Sequence, residues 1–177
     1  MKKLFISVLV LVFTSIVFLG QVQAQSRNVT VNLFLDDVLS SGGEGDGGTA
    51  TGANEVNFEF LTEADYRLTK SQVISDQLRV LSTQNYDITV KALNPNFISP
   101  VSTLPLSILK LSTSPGGENT YGTAISPTTT EQTIFTNGVP TLAQSFDIKY
   151  EIEPNIALIE AAKELYSVEL TFTVVAQ

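Results

Sequence analysis

Tyr166-Ser167-Val168-Glu169-Leu170-Thr171-Phe172-Thr173-Val174 alternates without a fault, with apolar side chains at even positions and polar ones at odd positions. Successive side chains of an extended chain point to opposite faces. The stretch therefore reads as a strand with one dry face and one wet face. Phe146-Asp147-Ile148-Lys149-Tyr150-Glu151-Ile152 has the same pattern. These two segments, the clearest in the chain, point to an all-β fold.

Working outward, the same period recurs. Val29, Val31, Leu33 and Leu35 alternate with Thr30 and Asn32, and Val56, Phe58 and Phe60 with Asn57 and Glu59. Residues 77–81 and 86–93 read as the arms of a hairpin across the polar link 82–85. Leu104, Leu106, Ile108 and Leu111 suggest another strand, which Pro105 confines to a sheet edge or to its first residues. A short strand is expected at 133–135, before Asn137-Gly138. Residues 62–75 are mixed, with one helical turn near Glu63 to Tyr66. Residues 155–165 have helical composition, with Asn155 as N-cap and apolar spacing at 156, 159 and 162. The segments 40–54 and 112–130, rich in Gly, Ser, Thr and Pro, read as long loops. There is no βαβ rhythm and no repeat of fixed period. The expected architecture is an immunoglobulin-like or jelly-roll β-sandwich of about seven or eight strands, with one short helix before the last strand.

The N-terminus is of another kind. Lys2 and Lys3 precede an almost wholly apolar run to Leu19, and Gly20 breaks it. Val22-Gln23-Ala24 then places small residues at −3 and −1 of a cleavage site. This is the layout of a secretory signal peptide. We expect residues 1–24 to be removed and residues 25–177 to form a single exported domain in the periplasm, on the cell surface or outside the cell. A retained membrane anchor is the competing reading, since a span needs roughly 17–25 apolar residues. Without cysteine there is no site for lipid acylation.

Composition narrows the chemistry. The chain has no cysteine, histidine or tryptophan. Disulfides, thiol catalysis and zinc–thiolate sites are excluded, and so is the commonest general base. Losing Lys2 and Lys3, but no acid, takes the formal charge from −8 to −10. That balance disfavours nucleic acid and anionic membranes, which attract Lys/Arg clusters. Ser71 beside Lys70 would be a nucleophile–base pair in name only, because adjacent strand residues face opposite ways. Carboxylate pairs for glycoside hydrolysis are limited to Asp36-Asp37 and to Glu59 with Glu63. The stretch Gly42-Gly43-Glu44-Gly45-Asp46 approaches a calcium nonapeptide, but its aspartate comes one residue early and the unit occurs once. Asp36, Asp37, Glu44 and Asp46 are accordingly the candidate calcium ligands. No cofactor is expected otherwise.

Residues 76–83, 86–92 and 104–108, together with the final strand, resemble secreted bacterial β-sandwich proteins of the fimbrial and spore-coat-protein-U kind. The resemblance implies a surface or pilus-like component with no shared catalytic residues. Several such families carry a cysteine pair, and this chain has none. The expectation is a non-enzymatic structural or surface protein that self-assembles through strand or sheet-edge pairing, or partners other surface proteins. Residues 29–35 and the last strand are the candidates for exchange between subunits. The alternative is an extracellular module that binds a carbohydrate or a protein through the loops at 40–54 and 112–130.

Overall fold

The computed structural model describes residues 25–35 and 55–177. The expected signal peptide, the glycine-rich segment and the candidate calcium ligands Asp36, Asp37, Glu44 and Asp46 all lie outside the described residues.

The described chain is mostly strand: β1 (Gln25–Leu35), β2 (Glu55–Phe60), β3 (Lys70–Ser82), β4 (Tyr86–Ala92), β5 (Asn96–Ile98), β6 (Thr103–Pro105), β7 (Leu109–Pro115), β8 (Gln132–Gly138), β9 (Thr141–Ile152) and β10 (Leu165–Ala176). Two short helices interrupt it, α1 (Glu63–Arg67) and α2 (Ile156–Glu160). One sheet has the order β2-β1-β10-β4-β8, with the small β5–β6 pair attached to β10. The other has the order β3-β9-β7. Aromatic side chains join the two sheets: the Phe135 ring of β8 stands 4.7 Å from Phe146 of β9, and Tyr86 of β4 meets Phe146 edge-on at 6.4 Å. The result is an all-β, two-sheet sandwich with a short helix before its last strand.

The alternation places side chains as expected. Val29, Val31 and Leu33 of β1 and Tyr166, Leu170 and Phe172 of β10 lie in the dry interior. β1 and β10 pair antiparallel from Gln25↔Val174 to Phe34↔Leu165. β1 also pairs with β2, in parallel, from Thr30↔Glu55 to Leu35↔Phe60. The first strand is thus an interior strand of its own sheet.

The expected hairpin of 77–81 with 86–93 is not formed. β3 pairs with β9, whereas β4 pairs with β10 and β8. Residues 82–85 carry the chain from one sheet to the other. Four residues reach roughly 13 Å, enough to cross the roughly 10 Å between packed sheets. The link is steadied locally, since Ser82 Oγ donates to the Gln84 carbonyl at 2.7 Å and accepts from its N–H at 3.2 Å. Alternation fixed the dry face of each arm but carried no information about its partner.

β3 is also longer than its alternation suggests. Its first half puts Lys70, Gln72 and Ile74 on the inner side, so the apolar period is hidden by polar residues. A bulge follows: three residues separate Ile74 from Leu78, against one between their partners Ile148 and Phe146. Asp76 takes a φ of 52° there, and its N–H donates to Asp147 Oδ1 at 2.8 Å. Two extra residues preserve the phase, so Leu78 and Val80 still point inward.

The expected strand around Leu104 to Leu111 is divided. β6 ends at Pro105, a 3-10 turn covers Leu106–Ile108, and β7 begins at Leu109 in the other sheet. The turn lets the consecutive apolar residues Ile108 and Leu109 both be buried as the chain passes from one sheet to the other. In the helix before β10, Asn155 caps as expected, its side chain accepting from the Ala157 N–H at 3.0 Å. Its spacing misleads, however. Ile156 and Ile159 are 63% and 56% exposed, and Leu158 is the residue that packs inward.

Candidate functional site

The nucleophile and carboxylate candidates are dispersed. Ser71 is exposed on β3. Lys70, its sequence neighbour, turns the other way and meets Asp65 Oδ1 at 2.5 Å, with the two side chains 11% and 7% exposed. The Lys70 ammonium also donates to the Glu59 carbonyl and lies 5.3 Å from the Phe60 ring centre. Glu63 pairs with Arg67 at 3.0 Å on the surface of α1, and Glu59 is exposed on β2. Among the described residues, no group of three or more acidic side chains is placed to hold a metal ion.

Asp65 organises that corner. Thr62 caps α1, accepting from the Asp65 N–H, while Asp65 Oδ2 accepts from the Thr62 N–H at 2.7 Å and the Leu61 N–H at 3.0 Å. Burial by itself raises the Asp65 pKa, but Lys70 and the bonds from Thr62 and Leu61 outweigh it and hold it below its ordinary value. The sequence signal was present, as Thr62 followed by Asp65 is a capping box with Asp in the Glu/Gln place.

A second polar knot sits at the β5–β6 turn. Ser99 and Ser102 both donate to Glu164 Oε1, at 2.6 and 2.8 Å, and the Ser102 hydroxyl touches that of buried Tyr166. The bond from Ser99, joined by those from Ser102 and Tyr166, outweighs desolvation and lowers the Glu164 pKa. A carboxylate so stabilised is a weaker base toward the very hydroxyls that donate to it. Its evident work is to tie the turn to the start of β10.

The sheet edges differ more sharply than any side-chain cluster. On the flank formed by β8 and β7 the chain folds back on itself. Leu111 N–H donates to the Ile125 carbonyl at 2.8 Å, Ile125 N–H to the Leu111 carbonyl at 2.9 Å, and Gly122 N–H to the Thr113 carbonyl at 3.0 Å. A little further on, Ala92 N–H donates to the Thr128 carbonyl at 2.7 Å. Most of the segment expected as a free loop at 112–130 is therefore a cover for the β7 edge, and its first residues belong to β7 itself. Ser112, Thr113 and Ser114 are buried beneath it, which is why their polarity misled.

On the opposite flank β2 and β3, like β8 on the first, each pair on one side only among the described residues, with β1, β9 and β4 respectively. The two strands are neighbours in space and run in opposite senses, since the start of β3 meets the end of β2 at Lys70 and Phe60. The outer faces are unlike. β2 presents Glu55, Asn57 and Glu59, whereas the first half of β3 presents Ser71, Val73 and Ser75 without a charge. Val73 is 45% exposed. Between the sheets, Arg27 of β1 donates to the Gln77 carbonyl, and buried Tyr150 donates to Gln77 Oε1 at 2.8 Å.

No helix among the described residues is long and apolar enough to cross a membrane. Comparison with protein-family models, with curated proteins and with solved structures finds no match to this chain.

Proposed function

We propose that this chain is an exported, non-enzymatic structural or surface protein that associates with copies of itself through its sheet edges. The observation that carries the reading is the number of edge strands: among the described residues β2, β3 and β8 each have one ladder neighbour, whereas β7 is also hydrogen-bonded to its own returning chain. An unpaired edge is a row of N–H and C=O groups ready to accept another strand. β3 spans thirteen residues and contains no proline.

Strand exchange is the other assembly route within this reading. β1 is N-terminal, and removing it would open a groove between β2 and β10 for the β1 of another subunit. Pairing of edges leaves each sandwich intact, whereas exchange requires β1 to withdraw Val29, Val31 and Leu33 from the core. The observed closed sheet favours edges. The binding-module alternative is weakened because much of 112–130 already spends its backbone bonds on β7 and β4.

The test uses the full chain expressed in a bacterial host for export. Mass spectrometry of the exported protein is expected to find Gln25 at its N-terminus; a product retaining residues 1–24 removes the export claim. Light scattering coupled to gel filtration, with negative-stain microscopy, is expected to show dimers or larger assemblies. A monomer at every attainable concentration ends the self-association reading.

A further inference from the structure

We propose that Asn137 is a site of self-modification, at which the side-chain amide is lost through a succinimide formed with the backbone nitrogen of Gly138.

The fold itself brings this pair together. Asn137 stands near the end of β8 with a φ of 60°, a left-handed conformation that asparagine adopts more readily than most residues. Gly138 follows it, opposite Tyr86 in the β4–β8 ladder, and is buried. A Cβ at 138 would overlap the Tyr86 ring, so packing demands glycine there. Backbone conformation thus favours asparagine at one position, and a neighbouring ring enforces glycine at the next. Asparagine is a chemically labile residue. It is most so when the following Cα carries no side chain to hinder the attacking nitrogen.

The surroundings suit the reaction. The Asn137 side chain is exposed to water. Its Nδ2 donates to the Thr136 hydroxyl at 3.3 Å, and its backbone N–H donates to Asp87 Oδ1 at 3.1 Å. Hydroxide removes the Gly138 amide proton, and the nitrogen bonds to Asn137 Cγ. The Cγ–Nδ2 bond then breaks, and the departing nitrogen takes a proton from water and leaves as ammonia. Water opens the ring at either carbonyl, giving aspartate or isoaspartate. Either product places a carboxylate beside Asp87, whose Oδ1 also accepts from the Gln177 side chain at 2.7 Å. Isoaspartate in addition lengthens the backbone between two anchors, Asp87 and Tyr86.

Asn119 is a control within the same chain. It too is exposed and left-handed, with a φ of 53°. It precedes Thr120, whose branched side chain crowds the nitrogen that would attack. Every other asparagine in the sequence also precedes a residue larger than glycine.

The test holds the folded full-length protein in mildly alkaline buffer and follows it by ion exchange and peptide mapping. An acidic species is expected to accumulate with time, its change confined to residue 137 and divided between aspartate and isoaspartate. An isoaspartyl methyltransferase with a labelled methyl donor detects the second product. Asn137→Gly keeps the left-handed backbone but removes the amide, and is expected to abolish that species. A folded protein unchanged at 137 over the time in which a synthetic peptide of residues 133–141 converts overturns the proposal. Conversion at Asn119 as fast as at Asn137 overturns it as well, as does undiminished acidification of Asn137→Gly.

Discussion

The two flanks of the sandwich solve the same problem differently. On the β7–β8 side, the chain returns through Ile125 and Gly122 and satisfies the backbone of β7 from within. On the β2–β3 side, side chains close the corner instead: Lys70 plugs the seam between the sheets, held by Asp65, and Arg27 reaches across to the Gln77 carbonyl. The first solution covers backbone groups of β7, while β8 beside it pairs only with β4 among the described residues. The second secures the interior but leaves strand edges outward. Closing a core and closing a sheet are separate tasks, and among the described residues β7 is the edge strand whose backbone the chain itself covers.

Mutations that attack each flank through its own device sharpen this contrast. Phe58→Ala on β2 is expected to have the largest effect, lowering unfolding free energy by about 4 kcal/mol, because Phe58 is fully buried although its strand is an edge. Chemical denaturation measures it, and a loss below 1 kcal/mol would mean that β2 is not anchored to the core. Asp65→Asn should follow at about 3 kcal/mol, since it strands the nearly buried Lys70 ammonium without its partner. Its pH dependence has a definite sign. Asp65 is held below its ordinary value in the folded state, so its contribution is present above about pH 4 and is lost as pH falls through the folded-state pKa. The gap between wild type and Asp65→Asn should therefore narrow in acid, and a gap that widens there contradicts the ion pair.

Ile125→Pro tests the covered flank. It removes the N–H that bonds Leu111 at 2.9 Å and should cost about 2 kcal/mol. More tellingly, it should bare the β7 edge and raise the apparent mass in light scattering beyond that of the unmodified protein. Stability and mass both unchanged would show that the 116–131 return is not what closes this side. The smallest effect is expected for Ile159→Ser on the exposed face of α2, within about 0.5 kcal/mol. A loss of several kcal/mol would restore the 156–159–162 face as the buried one.

How much was legible in advance depends on whether a signal was local. Asn155 was readable as a cap because capping is settled within three residues, and the same logic would have found the Thr62–Asp65 box. The interior side of β1, β2, β9 and β10 followed from alternation alone. Ile156 and Ile159 misled because a five-residue helix has room for one inward turn, and neighbouring strands chose which residue fills it. Ser112 to Ser114 misled because polarity marks solvent only until another segment lies over it. The calcium candidates from Asp36 to Asp46 fall outside the described residues, so their reading stays where the sequence left it.

By itself, then, the amino-acid order determined that this chain builds sheets, which side chains of its regular strands are dry, and that thiol and imidazole chemistry are absent. Tertiary structure alone decided that β3 and β4 separate into different sheets, that β1 lies between β2 and β10, and that the returning chain covers β7. The physical reason is that period-two alternation belongs to a single strand, whereas a backbone hydrogen bond needs a partner that the rest of the chain must deliver.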